Sequence, residues 1–173
     1  SLAFTSNLIE ENNIDCDFNV CGRLRTSWLP KDQVSMSDNL QKLKAIDDFN
    51  SKMIDPDMMT KSIKTELYFG GQFYQDHGSV HPRKFHYGLL KLALEAGAKV
   101  FGNKPVVKVN KLKQNGFDVL TSNSKIHCKQ VLMATNGYTR PSLSKYLARR
   151  VLPVPSFVIT TVDIGKDKIQ TLL

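Results

Sequence analysis

His81-Pro-Arg-Lys-Phe-His-Tyr-Gly-Leu-Leu-Lys-Leu-Ala-Leu-Glu-Ala-Gly-Ala-Lys-Val-Phe101 is the stretch from which the rest of the chain is read. Pro82 suits the first position of a helix, where a missing N–H costs nothing. Phe85, Leu89, Leu92, Ala93 and Ala96 then recur on one face, and Leu90 and Leu94 widen that stripe. The spacing predicts a helix to Ala96 buried on more than one side, with Gly97 as the residue that ends it. Ala98–Phe101 reads as a short strand. Helix, Ala-Gly, strand is the order of a crossover unit in an α/β sheet.

Downstream, the period changes to two. Val107, Val109 and Leu112 lead to Gln114-Asn115-Gly116, and Asn-Gly between strand-like runs signals a hairpin. Asp118–Thr121 and Lys125–Cys128 flank a second polar turn, Ser122-Asn123-Ser124, so a β-meander is expected. Val131–Thr135 is a continuous apolar run, the signature of a strand buried on both faces. It ends in Asn136-Gly137-Tyr138-Thr139. Ligands of open α/β sheets sit beyond such strand ends, and a small residue there lets backbone approach a cofactor. Val151–Val162 is a last β-rich run.

Upstream, Leu2–Asn12 reads as a weakly amphipathic helix. Phe18–Trp28 alternates as a half-buried strand, stopped by Pro30. Ser37 and Asp38 are candidate caps for a helix through Leu40, Leu43, Ile46 and Phe49. Asp55-Pro56-Asp57 breaks the chain, with Asp57 as cap of a short Met58–Ile63 turn. Glu66–Tyr74 reads as a strand whose Gly70-Gly71 pair marks a bulge or close backbone approach. Arg23 and Arg25 fall on the polar face of their strand, although a guanidinium fork also suits an anionic substrate group.

With 173 residues, 41% hydrophobic and 23% charged, the chain has the composition of a globular protein rather than a disordered or low-complexity one. No apolar run reaches the roughly 20 residues that span a bilayer, and no secretory leader is read at the start, so no membrane partner is expected. The net charge of +8 is uneven. Residues 1–80 hold 8 Lys/Arg against 12 Asp/Glu, and residues 81–173 hold 16 against 4. The basic half reads as a solvated surface, because its lysines are scattered and carry few interleaved aromatics. A basic module gripping nucleic acid is the alternative. Cys16, Cys21 and Cys128 make an odd count, read as small buried apolar side chains in a reducing, cytoplasmic setting. His77 and His81 are four apart, but Gly78 and Pro82 make that stretch a turn, so no metal site is assigned. No nucleophile elbow, Walker loop or Gly-rich dinucleotide fingerprint is present.

Four segments together resemble the FAD-dependent amine and amino-acid oxidoreductases of the D-amino-acid-oxidase type, in the branch of gamma-glutamylputrescine oxidoreductase. They are Ile14–Arg25, Tyr68–Gly71 with Gly78–Pro82, Leu94–Val100, and Val131–Arg150 containing Ala134-Thr-Asn-Gly-Tyr-Thr139. Their order and spacing match across nearly the whole chain. The resemblance implies a mixed α+β and α/β chain, part of a bilobal FAD-binding fold with a β-meander and an antiparallel substrate-lobe sheet. Residues 1–80 and 151–173 would belong to the substrate lobe, and residues 81–150 to the FAD lobe.

The likeness also implies hydride transfer from an amine or amino-acid substrate to FAD. Val106, with Val107 as its neighbouring choice, would meet the adenine side, and Ala134, Thr135 and Gly137 would lie against the nucleotide. No catalytic residue is assigned. The family's Gly-rich loop, its ribose-binding acid and its C-terminal segment are not in this sequence. The expectation is therefore a central piece whose partners are the remaining N- and C-terminal parts of the same protein, inactive and weak in FAD binding by itself.

Overall fold

The computed structural model describes residues 2–47 and 50–172. Helix α1 (Leu2–Glu11) buries Ile9. The chain then turns so that Ile14 and Cys16 close over Ile9, and Phe18, Val80, Phe85, Leu89 and Leu92 pack around the cluster. The last three come from α4 (Pro82–Glu95), the helix read from the sequence. Pro82 stands at its first position, and His81 precedes it, its Nδ1 accepting the Lys84 N–H at 3.4 Å. Past its end, Gly97 N–H donates to Leu94 O and Ala98 N–H to Ala93 O, the paired bonds that close a helix on a left-handed residue. The helix is covered on one side only. None of its residues is fully buried, and Leu94 is exposed, against the expectation of burial on several sides.

The first sheet has three short antiparallel strands: β1 (Arg23–Thr26), β2 (Ser51–Ile54) and β3 (Gly71–Tyr74), in the order β1-β3-β2. Within β1 the alternation holds, with Arg23 and Arg25 exposed between half-buried Leu24 and Thr26. The strand is shorter than Phe18–Trp28, and upstream of it the pairing is a single bridge of Asn19 to Ser79 and a bond from Gly22 N–H to His77 O. The Glu66–Gly70 portion of the third run is likewise outside the sheet. Ser51–Ile54 was not read as a strand, since four residues give too little alternation to register.

Helix α2 (Pro30–Lys44) starts seven residues before the expected Ser37 cap. Pro30 takes its first position, and the Asp32 carboxylate accepts the Leu29 N–H at 3.1 Å. Its inner face is Met36 and Leu40, both buried, while Leu43 and Ile46 are exposed; Phe49 lies outside the described residues. Helix α3 (Pro56–Ser62) likewise begins at its proline, behind Asp55 rather than Asp57. It inserts Met59, whose side chain is fully buried, toward Gly71. A Cβ on Gly71 would stand 2.3 Å from the Arg25 carbonyl oxygen and 2.9 Å from Met59 Cε. The close backbone approach expected at this glycine pair is present.

The meander forms as read: β4 (Val106–Lys111), β5 (Phe117–Thr121) and β6 (Lys125–Cys128), antiparallel in sequence order. Asn115 and Gly116 both take positive φ, 74° and 98°, between β4 and β5, as a tight hairpin demands. Asp118, nearly buried on β5, is ion-paired to Lys125 Nζ at 2.7 Å and lies 3.2 Å from His127 Nδ1. The hydrogen bond from Lys125, and then that from His127, hold its carboxyl below the usual carboxylate range. A depressed folded pKa contributes stability that is complete above the unfolded value and is lost as pH falls through the folded one. As pH falls below about 5, the thermal midpoint of the parent chain should therefore fall more steeply than that of Asp118→Asn, read by circular dichroism.

Three runs expected as strands are not strands. Ala98–Phe101, Val131–Thr135 and Val151–Val162 are irregular, and Leu132, Phe157 and Ile159 are each more than 90% exposed. Consequently the crossover unit is not completed. A strand needs a neighbour for its N–H and C=O groups, and among the described residues these runs have none. Of the thiols, Cys16 is buried as expected, Cys128 is half-buried and Cys21 is exposed. Cys21 stands at the surface because its segment leaves the cluster around Ile9 before β1 begins, and its Sγ meets Ser79 Oγ at 3.6 Å. Two short helices follow, α5 (Lys145–Ala148) and α6 (Lys166–Leu172). No helix among the described residues is long and apolar enough to cross a membrane. The chain divides into two compact units, residues 1–98 with 161–173, and residues 99–160.

Candidate functional site

The five residues singled out as cofactor contacts all lie in the unit of residues 99–160. Val106 opens β4 opposite Thr121. The register slips between Val106 and Lys108, leaving Val107 as the extra residue of a bulge. Bulges free a backbone position from the ladder and occur beside binding sites. Both valines are partly exposed.

Ala134, Thr135 and Gly137 sit at a tightly tied turn. Residues Asn136–Tyr138 form one turn of 3-10 helix, entered through Asn136 at φ 47°. Tyr138 N–H donates to Thr135 O. The hydroxyls of Thr135 and Thr139 are 2.6 Å apart, and Thr139 Oγ1 donates to Asn136 O at 2.8 Å. With the Thr139 N–H also donating to Asn136 O, two hydroxyls and two backbone bonds fix five residues.

The turn forms one wall of an open cleft of about 780 Å³. Leu152, Pro153, Val154 and Pro155 form the other wall, and Gly137 and Tyr138 face them. Of the five singled-out residues, Gly137 alone lines this cleft. A Cβ on Gly137 would lie 3.3 Å from Pro153 Cβ, so the glycine keeps the turn close to the proline. Tyr138 is 87% exposed at the rim. One apolar wall, the Asn136 amide, the Ser156 hydroxyl and the exposed Tyr138 ring, with no cationic side chain in the lining, suit a flat heterocycle better than a phosphate. On that chemistry the residues fit the ring portion of a dinucleotide. The sequence reading missed Tyr138 and Pro153, since their meeting is tertiary; the Pro-x-Pro at 153–155 was the available signal.

A scan of the full chain against family models matches the FAD dependent oxidoreductase family over residues 1–172. The chain belongs to the FAD-dependent oxidoreductase family. Its likeness to named members of that family is moderate. The chain is 31% identical over 121 residues to a probable oxidoreductase OrdL of Haemophilus influenzae, covering 68% of this chain and 28% of that one. It is 21% identical over 165 residues to gamma-glutamylputrescine oxidoreductase of Escherichia coli, covering 95% and 38%. Among solved structures, glycine oxidase from Geobacillus kaustophilus superposes with a TM-score of 0.71 at 15% identity, over 84% of this chain and 39% of that one. L-amino acid deaminase from Proteus vulgaris gives 0.68 at 18%, over 84% and 39%. The chain therefore spans well under half the length of these relatives. The mixed helix-and-sheet fold with antiparallel sheets is theirs.

In the basic half, Arg150 of the Arg149-Arg150 pair is engaged internally: its guanidinium lies 3.8 Å from the Tyr146 ring centroid and donates to Tyr146 O. Among the described residues, no group of three His, Cys, Asp or Glu side chains is placed to hold a metal.

Proposed function

We propose that the protein carrying this chain oxidises an amine or amino acid at the carbon that bears nitrogen, with FAD as the hydride acceptor. The family match over residues 1–172 carries this reading. The flavin supplies the two-electron chemistry, and the protein supplies binding and orientation. In the reaction a C–H bond beside the nitrogen loses a hydride, the nitrogen lone pair forms C=N, and water then cleaves the imine to a carbonyl compound and a free amine.

This chain's own share is to hold the nucleotide. The Ala134–Thr139 turn and the bulged start of β4 at Val106-Val107 are its contacts, with the cleft beside Gly137 receiving a ring. Residues 1–80 and 151–173 belong to the substrate lobe in this reading, and residues 81–150 to the FAD lobe. The residues that clasp pyrophosphate and ribose come from the rest of the protein, so this piece by itself binds FAD weakly and is inactive. The exposed Cys21 thiol suits a reducing compartment, and the cytoplasm is the proposed location.

The test is anaerobic. Protein from its native source should carry flavin absorption that bleaches with gamma-glutamylputrescine, glycine or another amine of a small panel. Absence of flavin, or a flavin that no amine or amino acid reduces while dithionite does, overturns the reading.

A further inference from the structure

We propose that the first sheet holds a binding pocket for a small carboxylate with an aliphatic body, anchored by Lys52. The register of the three strands puts Leu24, Phe73 and Lys52 in one row, with Leu24 and Lys52 each opposite Phe73. Directly opposed residues of antiparallel strands project from the same face. Two residues along, Ile54 opposes Gly71, which keeps it on that face. Helix α3 closes the Gly71 end by way of Met59 and turns Met58 and the following Ile63 toward the row.

The result is a pocket of about 440 Å³ with Leu24, Ile54, Met58, Ile63 and Phe73 as apolar walls, a size and lining typical of small-molecule sites. The Phe73 ring is pinned against Gly22, where a Cβ would stand 2.3 Å from Phe73 Cζ. The pocket floor is therefore preformed.

Lys52 is the charged side chain of this lining, and no acidic residue shares it. Its Nζ lies 5.8 Å from the centroid of the Phe73 ring. Among the described residues no carboxylate is ion-paired to it. An ammonium over an apolar floor, with no counter-charge, favours an anion whose carbon body covers the floor while its head meets the ammonium. Lys52 is the one cationic donor of the lining, and its two other polar side chains, Ser62 and Cys21, already donate to Met58 O and to Gly22 O with Ser79 Oγ, which favours a singly charged carboxylate over a phosphate. The site lies outside the Gly137 cleft and does not depend on the flavin reading.

Hexanoate, 1-hexanol and hexylamine, titrated into the 15N-labelled full chain, separate the contributions of charge and chain. Saturable shifts of the Gly22, Ile63 and Phe73 amides are expected with hexanoate, weaker ones with hexanol and none with hexylamine. Lys52→Met should weaken hexanoate about tenfold, the loss of one charge-assisted hydrogen bond, and leave the hexanol response in place. Lys52 is exposed on an edge strand, so that variant should keep the parent spectrum. Three results overturn the proposal: no saturable shift at these amides, equal binding of hexylamine, or an unchanged hexanoate curve in Lys52→Met.

Discussion

Gly71→Ala should unfold well below the parent chain. The new Cβ meets the Arg25 carbonyl oxygen at 2.3 Å, and that oxygen belongs to the neighbouring strand of the sheet. Side chains swing out of the way of an added methyl group, but a paired strand does not. The second obstacle, Met59 Cε at 2.9 Å, belongs to a fully buried residue. Relief must come from prising β1 from β3 or lifting α3, and either exposes the small core of this unit. Overpacking of this kind costs about 3 kcal/mol, the upper part of its usual range, or a midpoint lower by about 6–12 °C in a chain of this size. Gly102→Ala is the control, because a Cβ there meets nothing within 4 Å. Differential scanning calorimetry on the two variants decides the matter, and coincident melting of Gly71→Ala and Gly102→Ala would contradict the close approach.

The sequence displays such features when the determinants are local. Helix α4 was legible because its start, its stripe and its stop are all written within sixteen residues: Pro82, the Phe85–Leu89–Leu92 face, and Gly97. The hairpin of β4 and β5 was legible for the same reason, since Asn115-Gly116 demands positive φ wherever it lies. Helix α2 was displaced because two N-terminal signals compete within eight residues. Ser37 and Asp38 are good caps in isolation, but Pro30 with Asp32 two residues later starts the helix first, and nothing at Ser37 obliges it to restart. Strand β2 escaped notice because its four residues become a strand only through pairing with β3.

The runs 98–101, 131–135 and 151–162 show the converse. Their composition is that of interior strands, yet Leu132, Phe157 and Ile159 face solvent. Apolar character records what a segment is selected to bury, whereas strand geometry requires a partner that supplies hydrogen bonds along its length. The candidate site divides along the same line. Ala134, Thr135 and Gly137 were legible as a strand-end turn, and the hydroxyl bond between Thr135 and Thr139 is consistent with their spacing of four. Tyr138 facing Pro153 was not legible, because fourteen residues, helix α5 among them, intervene.

The proposed role of that turn makes Gly137→Val the most informative change on the functional side. Valine adds a Cβ about 3.3 Å from Pro153 Cβ and two γ-carbons beyond it, in a cleft that only the width of a glycine separates from its proline wall. The turn itself is held by bonds that do not involve the Gly137 side, so the variant should keep its fold while the cleft narrows. Strain of about 1–3 kcal/mol from such overpacking, transferred to the bound state, corresponds to FAD binding weakened about 5- to 150-fold. Flavin fluorescence titration of the complete protein measures it. Gly137→Ala separates the two ways the prediction can go. A methyl at 3.3 Å needs a shift of a few tenths of an ångström, which Pro153 in its irregular segment can supply, so alanine should bind FAD nearly as the parent does. If alanine and valine are equally harmful, the backbone of the turn rather than the cleft is what the cofactor needs. If neither weakens FAD, the nucleotide lies elsewhere and the assignment of this turn falls.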